Sequence, residues 1–74
     1  MTFADYLVNA DVYYRKNQGQ RYGQALVNFL ESVSSKAYFA IPAQIDPYYK
    51  NENVGDFLEW LGDNWGRFIV SQCF

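Results

Sequence analysis

The sequence has no histidine and a single cysteine, Cys73, and several common chemistries drop out with them. Without imidazole there is no ordinary Ser-His or Cys-His nucleophile pair, no histidine general base and no mixed Cys/His zinc site. A lone thiol has no internal disulfide partner and no base beside it. Asp5, Asp11, Asp46, Asp56 and Asp63 fall into no loop of calcium-binding spacing, so no metal or cofactor is expected. Gly19 and Gly23 enclose Gln20, Arg21 and Tyr22, but no Lys-Ser/Thr follows and no apolar strand precedes, so they make no phosphate cradle. Asp56 and Glu59 share one side of a helix at a spacing common on surfaces. The expectation is a protein that is not an enzyme.

Long apolar runs are missing too. No stretch approaches the roughly 18 residues of a membrane span. Basic residues number six against eight acidic, a formal charge of −2, and no run of like charge reads as an interaction tail. That balance argues against a protein that coats phosphates. Met1 to Tyr6 lack the basic and apolar regions of a secretion signal. The cytoplasm is therefore the expected location, in keeping with one unpaired cysteine.

What is abundant is aromatic mass: six Phe, seven Tyr and two Trp, 20% of a chain of 74 residues. The length allows one domain, residues 1–74. A chain this short buries only about 60% of the surface its unfolded form exposes. Rings that each bury roughly 150–250 Å² are one way to stabilise it without disulfide or metal. Sharing part of that surface with a second copy or a partner is another.

Periodicity then places the elements. Thr2 and Asp5 form a capping signal, and Phe3, Tyr6, Leu7, Ala10, Tyr13 and Tyr14 recur at spacings of three and four. This predicts a first helix over 3–16, with Asp11 and Arg15 paired on its outer side and Gly19 ending the turn. Tyr22, Ala25, Leu26, Phe29, Leu30 and Val33 line a second helix over 21–34. Lys36 to Ile41 reads as a short helical turn, since Pro42 disfavours strand pairing. Asp46-Pro47 opens a turn. Asn53 and Asp56 offer a cap for a helix over 54–64, lined by Val54, Phe57, Leu58, Leu61 and Trp65. Gly62 and Gly66 weaken that helix, and its end is expected between them. The fold class is all-α: a small bundle of three main helices, a short fourth helical turn and an apolar C-terminal tail.

The helix carrying Arg21, Gly23, Gln24 and Asn28, the turn Asp46-Pro47-Tyr48-Tyr49, and the segment Phe57-Leu58-Glu59-Trp60-Leu61 occur in that order. Together they resemble a loose family of small uncharacterised phage and bacterial proteins with an Arg-x-Gly-Gln-x-x-x-Asn helix and an Asp-Pro-aromatic turn. The likeness covers roughly residues 13 to 61. The chain departs from it at Pro42, Ala43, Gln44 and Ile45, where a glycine-containing loop is the familiar form. The resemblance implies an accessory protein that acts by binding a host or phage protein. It supplies no activity to carry over.

Two roles compete for the residues singled out. In a structural network, Gly23 admits close approach of the first helix, Arg21 caps a carbonyl or pairs with Asp46, and Gln24 and Asn28 bond to the 42–49 loop. In a binding face, Tyr13, Tyr14, Tyr48, Tyr49, Trp60 and Trp65 act with Arg21, since aromatic and arginine side chains dominate interface hot spots. A weak DNA-binding accessory protein is the alternative, resting on Arg15, Lys16 and Arg21 with three tyrosines around a helix-turn-helix skeleton. A purely structural helical dimer is a third. Residues 67–74 either join two subunits, the preferred reading, or fold back over Phe3 and Leu7.

Overall fold

Residues 1–69 are described by the structure, a computed structural model. Among them are four α-helices and no strand: α1 (Phe3–Lys16), α2 (Tyr22–Val33), α3 (Ser35–Ala40) and α4 (Val54–Ile69). Two short 3-10 turns, Ala43–Ile45 and Asn51–Asn53, lie between α3 and α4. The all-α bundle expected from the apolar spacings is the fold observed.

Local chemistry explains most boundaries. Thr2 Oγ1 accepts from the Asp5 N–H at 3.1 Å and Asp5 Oδ2 accepts from the Thr2 N–H at 3.2 Å, so two orphan donors of α1 are satisfied reciprocally. At its other end the Asn17 N–H donates to the Tyr13 carbonyl, and Gly19 turns the chain with φ +101°. Ser34 ends α2 and starts α3: its extended backbone breaks the helix, and its buried hydroxyl accepts from the Ala37 N–H at 3.2 Å.

The core is one contiguous layer to which all four helices contribute. Tyr6 and Ala10 of α1, Leu26 and Leu30 of α2, Ala37 of α3, and Phe57, Leu61 and Trp65 of α4 are buried together. Tyr6 sits at its centre, fully buried, and its hydroxyl donates to the Leu26 carbonyl at 2.7 Å. Burial first, and the neighbouring Tyr22 second, push the Tyr6 phenol far above its ordinary value. The domain is 36 × 27 × 17 Å across its Cα atoms. At an interaxial distance of about 8–10 Å, the thin dimension holds two helices in depth and no third layer. Phe39 and Tyr49, on the outer sides, are left 80% and 78% exposed.

Three expectations need correction. The last helix does not stop between Gly62 and Gly66 but runs to Ile69 and takes up Arg67 and Phe68. The reason is tertiary. Gly62 packs against the ring of Phe3, where a Cβ would stand 3.1 Å from a ring carbon, and one turn later Trp65 fills the core. Packing on both sides of the weak position outweighs the propensity cost of about 1 kcal/mol per glycine. Second, Gly23 receives the 46–51 loop rather than α1: a Cβ there would fall on the Pro47 carbonyl oxygen and lie 2.9 Å from Asn51 Oδ1. Third, Gln24 and Asn28 do not hydrogen-bond to the 42–49 loop. Gln24 Oε1 accepts from the Arg21 N–H at 3.0 Å, and Asn28 Nδ2 donates to Gln20 Oε1 at 3.0 Å, so both hold the start of their own helix. The readings placed on Val70 to Phe74, Cys73 among them, lie outside the described residues.

Candidate functional site

The turn after Asp46 is tied down from several directions. Asp46 Oδ1 accepts from the Tyr48 N–H at 2.9 Å, and the Asp46 carbonyl accepts from Asn53 Nδ2 at 3.1 Å. Asn53 thus braces the turn from its far side. Pro47 is fully buried against Gly23. Arg21 Nη2 donates to the Tyr48 carbonyl at 2.7 Å, one of the two roles expected of it, and it makes no pair with Asp46. Asn51 Oδ1 accepts from the Gly23 N–H at 2.9 Å. That last bond supplies what α2 lacks locally. Arg21 stands at the N-cap without a capping side chain, and an asparagine 28 positions after Gly23 satisfies that orphan donor.

The pinned turn carries Tyr48 and Tyr49, whose rings meet edge to face at 4.9 Å. Opposite it, Tyr38 and Phe39 of α3 make a second edge-to-face pair at 5.1 Å. These two pairs, with Val27, Asn28, Ile41 and Asp46, line one open groove of about 410 Å³. Phe39 is 80% exposed and Tyr49 78%, the two least covered large apolar side chains among the described residues. The volume falls within the roughly 300–1,000 Å³ of ligand-sized clefts.

The residues expected on one binding face divide among separate places. Tyr48 and Tyr49 line the groove, with Arg21 fixed to their backbone. Tyr13 and Tyr14 are half-buried at the α1–α2 seam, against Phe29 at 5.6 Å and Tyr22 at 5.2 Å. Trp60 lies between Phe57 at 6.3 Å and Phe68 at 5.7 Å, and lines a shallower groove with Ile45, Asp56, Glu59, Asp63 and Asn64. Trp65 is a core residue: it packs on Phe3 at 5.5 Å and Tyr6 at 5.3 Å, and its indole N–H donates to the Met1 carbonyl at 3.1 Å. Only 9% of it is exposed, which leaves little for a partner.

Phe39, Tyr38 and Ile41 belong to the groove and were not anticipated in it. A weak signal existed, because Tyr38 and Phe39 are adjacent on a helix of six residues and point about 100° apart, so a single narrow core contact does not cover both. Of the basic residues proposed for DNA, Arg15 pairs with Asp11 at 3.0 Å and Arg21 is engaged by the Tyr48 carbonyl. Among the described residues, no three acidic or sulfur-bearing side chains converge where a metal ion would sit, and no helix is long and apolar enough to cross a membrane. No protein-family model matches the chain, and no curated protein or solved structure matches it significantly.

Proposed function

We propose that this protein is a small helical interaction module that binds another protein through the groove between α3 and the 46–49 turn. In the phage setting that the sequence resemblance implies, the partner is a host or phage protein and the role is non-catalytic. The observation that carries the reading is the pair Phe39 and Tyr49. Both rings are mostly exposed on one groove, each set edge to face on its chain neighbour and neither part of the buried core. Their backbones are held: Phe39 by a side-chain-capped helix, Tyr49 by a turn bound to α2. Large rings on a fixed backbone give contact area at low ordering cost, the property that makes aromatics anchors of interfaces. Weak DNA binding has less support, since eight acidic residues outnumber six basic and Arg21, one of its three proposed cations, is tied to the Tyr48 carbonyl.

The test compares wild-type protein with the double variant Phe39→Ala/Tyr49→Ala in capture from the native host, with identification by mass spectrometry. Exposed side chains of this kind alter stability by within about 0.5 kcal/mol, so the melting temperature should stay almost unchanged. A protein retained by the wild type and lost by the variant supports the groove. Identical captured sets from both would reject it.

A further inference from the structure

Resting on the groove as a protein-binding site, we infer that its occupant presents an arginine side chain, whose guanidinium lies on the rings and pairs with Asp46. Four of the residues lining the groove are aromatic, and they come as two edge-to-face pairs, Tyr38 with Phe39 and Tyr48 with Tyr49. Ring faces carry negative potential, so a surface built from several of them attracts a cation above it. The only charged residue among those lining the groove is Asp46, also negative. None of the chain's six basic residues lines it. Arg21, the cation bonded to the turn, has its Nη2 on the Tyr48 carbonyl and contributes no wall.

Asp46 has capacity to spare. Its Oδ1 accepts the Tyr48 N–H, and among the described residues no donor reaches Oδ2. One carboxylate oxygen thus builds the turn and the other is free for a charge-assisted hydrogen bond. A guanidinium suits this combination better than an ammonium. It is flat enough to stack on a ring, it donates from its edge while its face stays on the aromatic, and it is more weakly hydrated. An apolar side chain would use the rings but leave Asp46 beside a desolvated contact without a partner, an arrangement that costs affinity.

The test uses three short blocked peptides that differ only at one central residue: arginine, citrulline or norleucine. Citrulline keeps the shape and removes the charge. Binding is followed by amide chemical shifts of ¹⁵N-labelled protein up to roughly 10 mM peptide, the range suited to a single-side-chain contact. The expected result is saturable movement of the Tyr38, Phe39, Tyr48 and Tyr49 amides with the arginine peptide, and affinity for citrulline lower by about fivefold or more. Asp46→Asn retains an acceptor for the Tyr48 N–H while removing the charge. It should leave the spectrum folded and weaken the arginine peptide by a similar factor, about fivefold. Citrulline or norleucine binding as tightly as arginine would overturn the inference while leaving the groove intact. So would the absence of any shift with the arginine peptide. Failure of the groove itself reads out separately, as unchanged capture by Phe39→Ala/Tyr49→Ala.

Discussion

Replacing Gly23 with alanine opposes two effects whose magnitudes can be compared. Gly23 is in the first turn of α2, and alanine in a helix is favoured over glycine by about 1 kcal/mol in the interior and less near an end. On propensity alone the variant is more stable. The structure sets against this the Pro47 carbonyl oxygen, which occupies the position the new methyl would take, and Asn51 Oδ1 at 2.9 Å from it. The Pro47 oxygen is backbone and cannot swing aside, whereas Asn51 Oδ1 ends a side chain that can turn away only by giving up its bond to the Gly23 N–H. Pro47 is buried, and its turn is fixed by the Arg21–Tyr48 and Asn53–Asp46 bonds. The loop must therefore move as a unit. Overpacking of this kind costs about 1–3 kcal/mol. The Asn51 bond to the Gly23 N–H, worth about 0.5–1.5 kcal/mol, is stretched or lost with it. Against a gain below about 1 kcal/mol, the net expectation is a loss of roughly 2 kcal/mol. For a domain of this size each kcal/mol lowers the melting temperature by about 4–8 °C, so the drop should be roughly 8–16 °C. Thermal unfolding by circular dichroism measures it, with Gly66→Ala as the internal comparison. Gly66 is helical, and among the described residues nothing lies within 4 Å of a Cβ placed there. That variant should be unchanged or more stable by up to about 1 kcal/mol. A Gly23→Ala protein as stable as Gly66→Ala would refute the close approach of the 46–51 loop to α2.

Other consequences are checked with similar instruments. Ser34→Ala removes the hydroxyl that accepts the Ala37 N–H at 3.2 Å, and should cost about 1 kcal/mol in urea unfolding through loss of the α3 cap. The pH dependence follows from Tyr6. Its phenol is raised in the folded state above the ordinary 10.0, so it stays protonated there while the unfolded chain ionises. The stabilisation is complete below about pH 10 and falls by about 1.4 kcal/mol per pH unit as pH rises beyond it. Tyr6→Phe gives up the hydroxyl bond to Leu26, starts about 1 kcal/mol less stable at neutral pH, and should show a shallower alkaline slope. An equal slope in both proteins would remove Tyr6 as its source.

The chain's helices were legible where their causes are local, and its site was legible only in part because its causes are not. The span 3–16 follows from Thr2, Asp5 and an apolar repeat that all lie within α1, and the structure returns the same bounds. The end of α4 was misplaced because the two features that carry the helix past Gly62, the Phe3 ring and the core site filled by Trp65, involve α1. A propensity argument sees the weak residue and not the surface beneath it. The same distinction separates the rings. Periodicity assigns Tyr13, Phe39 and Trp65 to helix faces, but whether a face is covered depends on which elements reach it. Phe3 and Tyr6 of α1 cover Trp65, whereas Phe39 is left 80% exposed. The α2 N-terminus offers a more general route to such long-range contacts. Its sequence shows no Ser, Thr, Asp or Asn at the cap, yet the N–H of a buried glycine in the first turn demands an acceptor. A missing local cap is therefore itself a sign that a remote side chain supplies one. Here Asn51 does so, and in binding Gly23 it also fixes the turn that carries Tyr48 and Tyr49 to the rim of the groove.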